Sequence, residues 1–122
     1  MQPLYIEGKE FIPEVSLNPQ SGVLTFAGKS FLEDTIEFYE PIIEWIKEYI
    51  QDTYQDTEVV FKMTYFNTTT SKVFLQIIKL VENYKGPIKI KWFYQADDDD
   101  MKEDGENMAA ETHLEFELAS FL

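Results

Sequence analysis

The chain has 122 residues, 44% of them apolar and 16% aromatic, which suits one domain spanning residues 1–122 with a real core and excludes a disordered chain. It has no cysteine, which excludes a disulfide framework, a thiolate nucleophile and a thiolate metal site. Its 23 Asp and Glu residues face only 10 basic ones, all lysine, for a net charge of −13, so phosphate backbones and anionic membrane surfaces are repelled while a basic protein is steered in.

The opening MQPLYIEGKE carries neither a basic segment nor an apolar signal core, and no run approaches the ~20 apolar residues of a membrane span. A cytoplasmic location is the expectation. Leu4-Tyr5-Ile6 is a short apolar piece. Glu14 to Asn18 alternates, Asn18-Pro19-Gln20-Ser21-Gly22 is turn chemistry, and Gly22 to Gly28 reads as a strand, so the pair predicts a hairpin.

From Leu32 the period lengthens. Leu32, Ile36, Tyr39, Ile43, Ile46 and Ile50 form one helical stripe, with Phe38, Ile42, Trp45 and Tyr49 beside it. Pro41 interrupts the pattern, and its missing N–H predicts a kink or a fresh helix start there. Glu58 to Phe66 is rich in β-formers and apolar on both parities, which predicts a central strand with Val59, Phe61, Met63 and Tyr65 on one face.

Val73, Ile77, Leu80, Val81 and Tyr84 mark a second helix that stops at Lys85-Gly86-Pro87. Ile88 to Tyr94 alternates as a strand, with Ile88, Ile90, Trp92 and Tyr94 on one face. Asp97 to Asp100 opens a weak helix near Met101, which Gly105 is expected to loosen. Leu114 to Leu118 closes the chain as a strand. The order is ββαβαβ(α)β. The predicted fold class is α/β (α+β): a mixed sheet with right-handed crossovers and helices mainly on one face.

Between the central strand and the second helix stands Asn67-Thr68-Thr69-Thr70-Ser71-Lys72, with five hydroxyl or amide side chains in a row. A helix start has unpaired N–H groups and a positive dipole end, so an Asn, Ser or Thr there is expected as an N-cap. Capping accounts for one or two of the five. The same physics admits a phosphate on one of the threonines, bringing roughly −1.5 to −2 charges to a place that favours anions, with Lys72 as a counter-charge.

A hairpin followed by helix, strand, hydroxyl-rich loop, helix and strand resembles the anti-sigma-factor-antagonist (STAS) arrangement. There a Ser within Asp-Ser-Ser/Thr-Gly is phosphorylated at this junction, whereas this chain has Asn-Thr-Thr-Thr-Ser. The local words are more similar to the SiaC-type bacterial regulatory phosphoproteins. They are Tyr65 to Lys72, Phe38-Tyr39-Glu40-Pro41 through Trp45, Trp92-Phe93-Tyr94 followed by acids, Asp97 to Gly105, and Leu114-Glu115-Phe116.

That resemblance implies a STAS-like signalling protein with no catalysis and no cofactor of its own. It implies phosphorylation on the threonine directly after the Asn, here Thr68, by a dedicated protein kinase, with reversal by a PP2C-type phosphatase. Asn67, Thr69, Thr70, Ser71 and Lys72 complete the recognition loop in that reading. The unphosphorylated form would bind and regulate an output protein such as a diguanylate cyclase, linking it to cyclic-di-GMP signalling and biofilm regulation.

The alternative is a small enzyme using clustered carboxylates and a metal ion. A convergent set of ligands is what Asp97 to Asp100 would have to supply, and four consecutive side chains point in different directions. They fit better as charges at a helix start. The lone His113 has no visible nucleophile partner, and there is no Gly-rich phosphate loop. Trp45 and Trp92 lie on apolar faces and are expected in the core.

Overall fold

The computed structural model describes Met1–Leu122 throughout. In chain order the elements are β1 (Leu4–Ile6), β2 (Glu14–Asn18), β3 (Val23–Ser30), α1 (Thr35–Asp52), β4 (Thr57–Phe66), α2 (Thr68–Val81), β5 (Ile88–Gln95), α3 (Asp99–Ala110) and β6 (Glu115–Phe121). The six strands form one sheet in the order β1-β2-β3-β4-β5-β6. The first two pairings are antiparallel and the last three parallel.

Each helix bridges neighbouring parallel strands, and the chain always advances in the same direction across the sheet. Right-handed crossovers then put all three helices on one face. The core obeys this: Leu24 and Phe26 of β3, Val59, Phe61 and Met63 of β4, and Ile90 and Trp92 of β5 are buried on one side against Tyr39, Ile42, Ile46, Phe74, Ile77 and Val81. The predicted sheet and its one-sided cover are present. Leu4–Ile6 adds an edge strand by pairing with Val15–Leu17.

Five expectations need correction. Pro41 does not start a new helix: α1 runs through it unbroken. Pro41 is exposed, so the carbonyl it leaves unpaired can face water, and buried Tyr39, Ile42 and Ile46 on either side of it hold the helix to the sheet. The buried stripe of α1 falls between the two predicted ones, leaving Ile36 68% exposed.

Tyr65 does not share a face with Val59, Phe61 and Met63. Gly28 pairs with Met63 but Lys29 pairs with Tyr65, so Thr64 is an extra residue in β4. This bulge reverses the alternation. Phe66 turns inward onto Phe74 and Trp92, with ring centroids 5.2 and 5.9 Å away. Tyr65 turns outward. Gly28 opposite the bulge has φ +93°, a conformation L side chains seldom adopt, and its carbonyl accepts from the Thr64 hydroxyl at 3.3 Å.

Gly105 does not loosen α3, which is a full twelve residues. A Cβ at Gly105 would lie 2.5 Å from Trp92 Cδ1, so the glycine is what lets the helix approach β5. The Trp92 indole N–H donates to the Met101 carbonyl at 3.1 Å across that contact. Finally, α2 ends at Val81 rather than at Lys85, and Tyr84 is buried beyond the turn that follows.

Candidate functional site

At the carboxyl-terminal end of β4 the chain leaves the sheet at Phe66 and enters α2 at Thr68, with Asn67 between them. The Asn67 backbone is extended, and its side-chain oxygen accepts from the Thr70 amide at 2.9 Å. That is a full N-cap. The Asn67 amide in turn donates to the Ser30 carbonyl at 3.2 Å, which ties the cap to the end of β3.

The polar row therefore divides its labour. Asn67 caps. Thr70 is fully buried: its hydroxyl lies 2.8 Å from that of Ser30, which lies 2.9 Å from that of Tyr39. Three hydroxyls from β3, α2 and α1 thus satisfy one another inside the core. Burial pushes the Tyr39 phenol far above its usual value, only partly opposed by the Ser30 bond, so it stays protonated as a member of that network. Thr68 and Thr69 are exposed, Ser71 is half-buried and Lys72 is exposed.

The sequence grouped Thr70 with the recognition loop. The structure turns its side chain inward, where no partner reaches it. The signal was present in the spacing: Thr70, Val73, Phe74, Ile77 and Val81 follow the i, i+3, i+4, i+7, i+11 rule of a buried helix face. Thr68 is the first helical residue and faces solvent at a terminus whose first amides have no intrahelical acceptor. The charge there is unusual for so acidic a chain. α1 carries Glu37 and α3 carries Asp99 and Asp100 in the first turn, whereas α2 carries no acid. Its dipole end is left uncompensated, with Lys72 one turn on.

The loop between Ile6 and Glu14 and the loop after β3 flank this terminus, and they were not singled out in the sequence. The Phe31 amide donates to the Phe11 carbonyl at 3.0 Å. The Phe31 ring lies 6.0 Å from that of Phe11 and 5.9 Å from that of Tyr65. All three rings are about half exposed. No local pattern marks them, because two lie in loops and the third owes its direction to the bulge.

The carboxylates do not assemble into a centre. Asp98 is the N-cap of α3, its side chain accepting from the Met101 amide at 2.9 Å. No group of three or more His, Cys, Asp or Glu side chains is placed to hold a metal ion. His113 is 76% exposed, with only Glu82 nearby at 3.9 Å. Glu82 is held below the usual carboxylate range, chiefly by the hydrogen bond it accepts from Thr112. Trp92 is in the core as expected, while Trp45 is half-buried, stacked on Tyr49, and donates to the Gln2 carbonyl at 2.8 Å. No helix is long and apolar enough to cross a membrane.

Over 97 residues the chain is 28% identical to an uncharacterised protein of Pseudomonas aeruginosa strain UCBPP-PA14, a match covering 77% of each. The fold is similar to that of apo-SiaC from Pseudomonas aeruginosa, with a TM-score of 0.88 at 25% identity over 97% of this chain and 98% of that one. It is also similar to a chain in the crystal structure of the diguanylate cyclase SiaD in complex with its activator SiaC, from the same organism. There the TM-score is 0.91 at 23% identity, over 97% of this chain and 99% of that one. The model of the SiaC family regulatory phosphoproteins matches residues 6–121, and the chain belongs to that family.

Proposed function

We propose that this chain is a non-catalytic switch protein whose phosphoacceptor is Thr68. In the unphosphorylated state it binds and regulates an output protein, a diguanylate cyclase being the favoured class, since the similar SiaC is named as the activator of SiaD. A protein kinase adds the phosphate and a PP2C-type phosphatase removes it. Asn67, Thr69, Ser71 and Lys72 form the surface that the enzymes and the output protein read, and Thr70 holds that surface in place from beneath.

The observation that carries the reading is the placement of Thr68. It is an exposed hydroxyl on the first residue of a helix that is capped, pinned to β3 and free of acid in its first turn. Such a terminus accepts a dianion without rearrangement. The modification then acts locally: a partner resting on Thr68 would have to desolvate the phosphate, and an unpaired buried charge costs several kcal/mol. At ~1.4 kcal/mol per factor of ten, that abolishes a micromolar complex.

The test is intact-mass and fragment analysis of protein isolated from its host, followed by kinase labelling of wild type and Thr68→Ala. The expected result is one phosphate on Thr68 and no labelling of Thr68→Ala. Labelling of Thr68→Ala at the wild-type level sinks the assignment and moves it to Thr69 or Ser71.

A further inference from the structure

We propose that Phe11, Phe31 and Tyr65 form the apolar anchor on which the output protein docks, and that Thr68 sits at its margin. This rests on the reading of Thr68 as the switch and adds where the partner's binding energy comes from. The three rings come from three separate elements and touch in a row. Phe11 is 51%, Phe31 54% and Tyr65 47% exposed. Together they form one half-exposed aromatic patch, the kind of surface that marks an interaction site.

Met63 and Phe66, on either side of Tyr65, are turned into the core or packed against it, and the bulge at Thr64 is what sends the Tyr65 ring outward instead. The patch is also fixed to the switch through the backbone. Phe31 follows Ser30, whose carbonyl accepts from the Asn67 amide, and Thr68 follows Asn67. A partner seated on the rings therefore lies next to the segment that carries Thr68.

Charge selects the occupant. The loops at this end of the sheet carry Glu7, Glu10, Glu33, Asp34, Asp97 and Asp98 against Lys9. A second copy would bring the same acidic rim and a net charge of −13, so self-association through this patch is disfavoured. The matching surface is an apolar ridge flanked by Lys or Arg on the output protein. Such a partner gains from the rim carboxylates. A phosphate on Thr68 would be buried against the partner's apolar ridge rather than against its flanking cations, so the same complex that charge attracts is lost on phosphorylation.

The experiment titrates a purified full-length diguanylate cyclase of the same organism with wild type, Phe31→Ser, Tyr65→Ala, Thr68→Asp and Tyr54→Ala. Circular dichroism controls for folding. Tyr54 is a more exposed tyrosine at the opposite end of the sheet. The proposal expects Phe31→Ser and Tyr65→Ala each to weaken binding by about tenfold or more, as anchor residues do, with Tyr54→Ala unchanged and wild-type binding falling as salt rises. Should Phe31→Ser fail to fold, Tyr65→Ala, at the end of a strand, decides alone.

Binding within about twofold of wild type for both aromatic variants, while Thr68→Asp binds poorly, overturns the anchor and leaves the switch standing. The reverse pattern sinks the switch and leaves the anchor. Binding of no such cyclase by the unphosphorylated wild type overturns both. Variants that lose kinase labelling but keep cyclase binding assign the patch to the kinase, and a wild-type dimer that Phe31→Ser converts to monomer assigns it to a second copy. Either result overturns the proposal.

Discussion

The Ser30 hydroxyl lies 2.8 Å from that of Thr70, inside the core, and this one contact joins the last residue of β3 to the first turn of α2. It lies two residues along α2 from the exposed Thr68. Thr70→Val keeps the size of the side chain and removes the bond, leaving a buried Ser30 hydroxyl with Tyr39 as its remaining side-chain partner. The expected cost is about 1–3 kcal/mol. In urea unfolding the midpoint should fall with an unchanged m-value. Thr70→Ser, which keeps the hydroxyl and loses only a methyl, should recover part of the loss. Equal midpoints for wild type and Thr70→Val would show that the network contributes nothing.

Gly105→Ala distinguishes helix propensity from packing. In a free helix the change gains about 1 kcal/mol. Here the new methyl carbon would stand 2.5 Å from Trp92 Cδ1 and 2.9 Å from Leu118 Cδ2. α3 must move away, stretching the 3.1 Å bond from the Trp92 indole to the Met101 carbonyl. The net effect should be destabilising by about 1–3 kcal/mol, as for other overpacked sites. Tryptophan emission should shift to the red as Trp92 gains water. A raised unfolding midpoint would show that the helix–sheet contact is softer than its geometry implies.

What the sequence made legible follows the strength of its periodicities. Val59, Phe61 and Met63 and the set Ile88, Ile90 and Trp92 alternate cleanly, and each occupies the face assigned to it. The five-residue polar row lies at the strand-to-helix junction where the apolar pattern breaks. What escaped are features made by a single residue acting across the fold. The bulge at Thr64 has no composition of its own; it exists because β4 must match β3 at Gly28. The role of Gly105 is set by Trp92, thirteen positions away on another element. Thr68 and Thr70 are chemically identical, and only helical phase sends one to solvent and the other to Ser30.

The acidity of α3 should show in the pH dependence of stability. Burial, and then the charges of Asp100, Asp98 and Glu103, raise the Asp104 carboxyl above its usual value. The folded state thus holds this proton more tightly than the unfolded chain does. Ionising it costs stability in full above the folded value, and the cost vanishes as pH falls below the ordinary carboxylate range. Asp104→Asn should therefore raise the melting temperature at neutral pH, and the gain should shrink as pH falls toward about 4. Thermal melts of both proteins across that window check it. A gain that is constant with pH would trace the effect to packing rather than charge.

The switch should move fold stability and partner affinity in opposite directions. α2 has no acid in its first turn, and Thr68 is its first residue. A carboxylate there meets the uncompensated dipole end, and each such charge stabilises a helix by about 0.3–1 kcal/mol. Thr68→Asp should therefore unfold at slightly higher urea than wild type. Enzymatically phosphorylated protein should gain at least as much, since the phosphate brings roughly −1.5 to −2 charges. Added salt should diminish both gains through screening. Thr68→Ala lacks the charge, so its midpoint should fall below that of Thr68→Asp. Against the output protein the order reverses: wild type and Thr68→Ala bind alike, while Thr68→Asp and the phosphoprotein bind weakly. Paired urea curves and calorimetric titrations on the same four samples decide the matter. A phosphoprotein destabilised by several kcal/mol would mean that the modification acts by loosening α2. Unchanged stability with lost binding would confine the phosphate's effect to the contact surface.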